Sequence, residues 1–136
     1  MDIMDLCKAL EAEFSNLKWH PSCLEELASL AASGGYARRL YGELFGKLRM
    51  LSQLGHEAAK SPPAFKKLTG APGLCRIALR SKAYNIRIIY AFSKSRGVLL
   101  LAFYEKSGKR KTDYSTHIPP ALARLQEIEG GTNHET

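Results

Sequence analysis

Three arginines stand at strand spacing within twelve residues: Arg76 and Arg80 in LCRIALRSK, and Arg87 in AYNIRIIYAF. Read with period 2, the first stretch puts Cys75, Ile77 and Leu79 on one face and Arg76, Ala78, Arg80 and Lys82 on the other. In the second, Ile86, Ile88, Tyr90 and Phe92 share a face, opposite Asn85, Arg87, Ile89 and Ala91. Arg87 is then a single charge inside an apolar strand. The basic run EKSGKRK follows a third strand and offers Lys106, Lys109, Arg110 and Lys111, with Tyr114 and His117 shortly after. Metal-free cleavage of RNA has matching needs. A base takes the proton of a ribose 2′-OH, an acid protonates the leaving 5′-oxygen, and fixed cations stabilise charge on the phosphate. Arginine suits the last task because its fork is always charged and bidentate. Histidine, or a lysine or tyrosine of shifted pKa, suits the first two.

Charge along the chain points the same way. Residues 1–59 carry 6 basic and 8 acidic side chains, residues 60–111 carry 13 and 1, and residues 112–136 carry 1 and 4, for the net +7. So one-signed a middle segment is the footprint of a polyanion partner, where a solvated basic surface is the bland alternative. At 136 residues with 45% hydrophobic content, one globular domain is expected. No apolar run approaches a membrane span, and the acidic start MDIMDLCKAL gives no secretory signal. Cys7, Cys23 and Cys75 are scattered, which fits free thiols in a reducing cytoplasm. No Cys or His spacing suggests a metal site, and no nucleotide or nucleophile motif implies a cofactor.

The elements that must position these residues are legible in outline. Ile3, Leu6, Leu10, Phe14 and Leu17 give a helical stripe over residues 2–17, an N-terminal extension. NLKWH, residues 16–20, reads as a possible short strand with Trp19 buried. Ser22 and Glu25 form a capping-box pattern for a helix to about Ala32, stopped by Gly34–Gly35. A second helix spans Tyr36 to Leu54, with stripe Leu40, Leu44, Leu48 and Leu51. Gly42 and Gly46, four apart on that helix, either admit a close partner or only weaken it. Ala64–Gly73 is expected as a loop, where Lys66 and Lys67 are solvated or touch phosphate. Three strands follow, residues 74–81, 84–92 and 98–104, the last apolar on both faces and so doubly covered. Pro119–Pro120 opens a last helix with Ala121, Leu122, Leu125 and Ile128 inward, ended by Gly130–Gly131, with 130–136 a flexible tail. Trp19, Tyr36, Phe45 and Phe65 are expected in the core. The fold class is α+β: a small antiparallel-rich sheet, a three-strand meander plus the possible N-terminal strand, packed against a helical hairpin.

RIALRSKAYNIRIIY, followed by LLLAFYEKSGKRK and a closing helix, resembles the RelE/ParE superfamily of toxin–antitoxin toxins, and LSQLG…PPAFKKLTGAPGL resembles the segment before the sheet in RelE- and HigB-type members. The resemblance covers residues 18–129. It implies a ribosome-dependent mRNA endoribonuclease, an mRNA interferase that blocks translation and is held inactive by a cognate antitoxin. Its partners would be the antitoxin, the ribosome and mRNA, with no membrane and no cofactor. Carried over, Arg87 matches the central strand arginine that contacts phosphate, and Arg76 and Arg80 match basic positions on the preceding strand. Lys109 and Arg110 match the basic loop, and the C-terminal acid/base or stacking position falls on Tyr114 or His117. Lys66, Lys67, Arg76, Lys82, Lys106 and Lys111 would hold RNA. Ala78 departs from the pattern, since RelE-like members often place a lysine there. The rival readings are a ParE-like inhibitor of DNA gyrase and a non-catalytic RNA- or partner-binding module of the same fold. In bland readings, Arg87 pairs with a helix carboxylate, Tyr114 merely packs, and His117 caps a helix.

Overall fold

A computed structural model of the chain describes residues 3–61, 63–105 and 113–134. Helix α1 (Ile3–Glu13) leads into strand β1 (Leu17–Trp19), helix α2 (Pro21–Gly34) and helix α3 (Ala37–Leu54). A 3₁₀ segment, Gly55–Lys60, connects to β2 (Phe65–Lys67), β3 (Cys75–Arg80), β4 (Asn85–Ser93), β5 (Arg96–Tyr104) and helix α4 (Ile118–His134). The strands form one five-stranded mixed sheet in the order β1-β5-β4-β3-β2. The three-strand antiparallel meander is as expected, and β1 joins it in parallel beside β5, with Leu17 opposite Gly97 and Trp19 opposite Leu99.

Two apolar layers flank the sheet. On one face Leu40, Leu44, Leu48 and Leu51 of α3, with Cys23 and Leu27 of α2, pack on Ile77, Leu79, Ile86, Ile88 and Tyr90. On the other, Ala121, Leu125 and Ile128 of α4, with Leu68, Ala71 and Leu74, pack on Ile89, Ala91, Val98, Leu100 and Leu101. The β4–β5 register slips between Ile89, paired with Leu101, and Tyr90, paired with Leu99, so Leu100 is an extra residue in β5. That bulge puts both Leu100 and Leu101 on the α4 side while Leu99 and Ala102 face α2 and α3. It is one reason why this strand reads as apolar on both faces.

Several local expectations are corrected. Residues 65–67 are an edge strand, not loop, because Phe65 is fully buried opposite Ile77 and draws Lys66 and Lys67 into register with Arg76 and Cys75. Helix α2 starts two residues earlier than a Ser22 cap would give. Pro21 takes the first helical position and the His20 ring accepts from the Ser22 amide through Nδ1 at 3.0 Å. Phe45 is exposed, resting on Phe14 with ring centroids 5.8 Å apart, and Leu122 points outward from α4. Helix α4 continues through Gly130–Gly131 to His134. Gly97 is needed where β1 closes on β5: a Cβ there would stand 2.9 Å from Leu17 Cδ2. Gly42 and Gly46 serve no such approach, since nothing lies within 4 Å of where their Cβ atoms would be.

Gly42→Ala and Gly46→Ala should each raise stability by about 0.5–1 kcal/mol, because alanine loses less backbone entropy in an exposed helix. The check is an upward shift of the urea midpoint at unchanged slope.

Candidate functional site

The α4 face of the sheet is unevenly covered. Helix α4 lies over Ala91, Val98, Leu100 and Leu101 but begins at Ile118. The end of that face towards the β3–β4 turn is left to polar residues. Cross-strand register sets Arg87 between Ala78 of β3 and Phe103 of β5, and Asn85 opposite Arg80. The strand alternation read from the sequence is therefore correct, and Arg76, Arg80 and Arg87 share one face.

Arg87 is 3% exposed. Its Nη1 donates to the Asn85 Oδ1 atom and, at 3.3 Å, to the Ile86 carbonyl. Among the described residues no carboxylate lies within 4.0 Å of it. Residues 106–112, KSGKRKT, are outside the described set and contain four cations and no carboxylate. Burial pulls the Arg87 pKa down, Tyr114 opposes that, and the positive charges of Arg80 and Arg76 add to it. The guanidinium nonetheless stays charged at any working pH. The pairing of Arg87 with a helix carboxylate, allowed by the sequence, does not occur.

Tyr114 and His117 enter from the segment before α4. The Tyr114 carbonyl accepts from the amides of His117 at 2.9 Å and Ile118 at 3.0 Å, and Asp113 Oδ1 accepts from the Ser115 amide at 2.9 Å. One tight turn thus fixes both side chains. Both meet Phe103: His117 stacks on it at 3.7 Å and 11°, and Tyr114 meets it edge-on at 5.7 Å and 81°. Burial pushes the His117 pKa below its ordinary 6.5, against the pull of Glu26, Glu105 and Asp113. Its imidazole is therefore neutral near pH 7 and able to accept a proton.

The remaining predicted residues are placed as follows. Arg80 is exposed, and its backbone amide donates to Glu43 Oε2 at 3.2 Å, while the Tyr84 hydroxyl donates to the other oxygen of that carboxylate. Arg76 Nη1 donates to the Pro63 and Ala64 carbonyls, tying the entry of β2 to the sheet. Lys66 and Lys67 are exposed on β2, and Lys82 is exposed in the β3–β4 turn. Lys106, Lys109, Arg110 and Lys111 lie outside the described residues. The buried thiols are poor nucleophiles: burial pushes Cys7 to about 12 and raises Cys23 and Cys75. Phe103 and Asn85 were not picked out by sequence reasoning. Phe103 sat inside an apolar run, and only cross-strand register shows that it faces Arg87.

Two polar clasps hold α4 so that its leading turn reaches this site. Arg124 donates to both Glu26 oxygens, at 2.7 and 3.0 Å, and to the Leu100 carbonyl at 2.9 Å. Glu26 also accepts from the Ala102 amide at 3.1 Å. Nearer the helix end, His20 Nε2 lies 2.7 Å from Glu127 Oε2.

The profile of the family described as Phage derived protein Gp49-like matches residues 35–126. That is more than half of the chain, from the turn before α3 into α4, and it includes every predicted site residue. The chain belongs to the Gp49-like family. Gp49-like proteins are a family of toxin–antitoxin toxins, and membership implies an antitoxin as partner. No curated protein matches the sequence. Within the described residues of this Gp49-like toxin, no helix is long and apolar enough to cross a membrane.

Two outcomes are expected from the site. Arg87→Met should raise the melting temperature, by about 1–2 kcal/mol of stability, because a buried charge without a counter-charge is replaced by an apolar chain. Sulfate or phosphate should stabilise the wild type more than the variant, as thermal melts in both buffers would show. His117 gives a pH signature. Its folded pKa is below the unfolded 6.5, so its contribution is full above pH 6.5 and is lost as pH falls through the folded value. Urea titrations between pH 5 and 8 should show that loss in the wild type and not in His117→Phe.

Proposed function

We propose that this chain is the toxin of a toxin–antitoxin pair and acts as a ribosome-dependent mRNA endoribonuclease in the cytoplasm. The observation that supports this best is Arg87: a buried guanidinium with only neutral hydrogen-bond partners among the described residues, within the field of Arg80 and Arg76 and beside Phe103, on which a neutral imidazole stacks. Such a group lacks an anion, and a phosphodiester supplies one.

On this reading the roles divide as follows. Arg87 and Arg80 hold the two non-bridging oxygens of the scissile phosphate and take up the charge that builds there. His117, neutral and fixed against Phe103, removes the proton from the adjacent 2′-OH. The 2′-oxygen attacks phosphorus, the bond to the 5′-oxygen breaks, and the leaving oxygen takes a proton from Tyr114 or from Lys109. The products are a 2′,3′-cyclic phosphate and a 5′-hydroxyl, with one proton taken and one returned. Lys66, Lys67, Lys82, Lys106, Arg110 and Lys111 hold mRNA and ribosomal RNA by charge. The antitoxin neutralises this basic face while the pair is intact.

Programmed ribosomes incubated with the purified chain should yield mRNA cut within the ribosome. Arg87→Ala should slow cutting by about 10²–10³-fold with the fold intact by circular dichroism. Intact mRNA with the wild type would overturn the nuclease reading. Inhibition of DNA gyrase in that case would identify a ParE-like toxin.

A further inference from the structure

A second group of cations lies on the same face of the sheet, at the other end of the strands. Lys18 on β1, Lys94 in the β4–β5 turn and Arg96 at the start of β5 surround a cavity of about 180 Å³, with Ser93, Val98 and Ile128 completing its wall. Lys18 faces this side because its neighbours Leu17 and Trp19 point into the opposite layer and it pairs with Val98. Among the described residues none of the three cations forms an ion pair. Glu129 of α4 is also at this end, and it accepts from Ser93 Oγ at 3.4 Å.

The turn itself carries an independent signal. Ser93 pairs with Arg96, so the hairpin loop is Lys94–Ser95 alone, and both residues have positive φ, 52° and 67°. A two-residue loop of that shape is the place for Asn-Gly, because residues with a full side chain resist the left-handed region. The chain instead keeps a lysine at the strained tip, beside Arg96 and across from Lys18. A strained turn retained beside a small cavity lined by three like charges is an arrangement that an anion would relieve.

We propose that Lys18, Lys94 and Arg96 form a second phosphate-binding site that grips the backbone of structured RNA. The proposal rests on the RNA reading above and adds a separate contact to it. Arg87 and Ser93 are six steps apart along β4, about 20 Å at the rise of a strand, and that separates the two sites. That separation, with α4 between, suits one RNA held at two points, one for cutting and one for docking. It gives a reason for this toxin to require folded RNA around its substrate.

The test is binding of a fluorescent RNA hairpin to the full chain by anisotropy across a salt series. Lys94→Glu with Arg96→Glu should weaken binding at least about tenfold and lower the slope of log K against log salt by about 2. Lys94→Asn with Ser95→Gly should relax the turn, so it should melt at higher temperature than the wild type and still bind more weakly. Wild-type affinity and slope in both variants would overturn the site, as would failure of the wild type to bind the hairpin. Hairpin binding that depends on these cations, in a protein that leaves mRNA intact, would uphold the site and overturn only the nuclease reading.

Discussion

A guanidinium taken out of water without a carboxylate is the constraint on which this structure turns. The domain contains an internal control. Arg124, on the same side of the sheet, forks onto both oxygens of Glu26, and that hydrogen-bonded carboxylate raises its pKa. Arg87 sits among a carboxamide, a carbonyl, a phenol and two further arginines, and its pKa is lowered, chiefly by burial. The two residues are chemically identical, and their surroundings have opposite effects. Arg124 is a complete interaction that holds a helix. Arg87 has no such partner among the described residues, and on the proposed reading an anion completes it.

The rest of the fold can be read as what keeps that guanidinium in place. The bulge at Leu100 turns two consecutive leucines towards α4, which fixes the helix on β5. It also stands where β5 has run past the three-residue β1, so the next backbone groups have no strand partner on that side. Glu26 and Arg124 fill the gap, one taking the Ala102 amide and the other giving to the Leu100 carbonyl. The same two side chains therefore satisfy an open strand edge and hold α4 down. Since α4 starts from the turn that carries Tyr114 and His117, strand-edge repair and placement of the candidate site are one piece of architecture.

Much of this was legible in the sequence because period 2 and period 3.6 are local rules. The β3 and β4 faces, the α3 stripe, the glycine stop at Gly35 and the shared side of Arg76, Arg80 and Arg87 all follow from spacing. What escaped depends on distant neighbours. Residues 65–67 are too short to announce a strand, and they become one only because Phe65 meets Ile77. Phe45 looks like core from its type, yet α1 offers it Phe14 at the rim and no interior. Sequence leaves the C-terminal position open between Tyr114 and His117, because only the fold shows that one turn brings both to the same ring, His117 stacked on Phe103 and Tyr114 edge-on.

The alanine at position 78 gains a meaning from the register. It is buried, and it stands directly across from Arg87. RelE-like proteins, which this chain resembles, often carry a lysine there. A lysine at this point would bring a fourth like charge against Arg76, Arg80 and Arg87 in a dry site, and either its own charge or theirs would have to be offset. With alanine, β3 offers no amine across from Arg87 to take a proton. On the proposed reading the base must then come from another element, and burial has set the His117 imidazole in its neutral form. On that reading the absent lysine and the stacked histidine are linked: losing a strand base is tolerable only where another element supplies one, and His117, held against Phe103 by the turn before α4, would be that base.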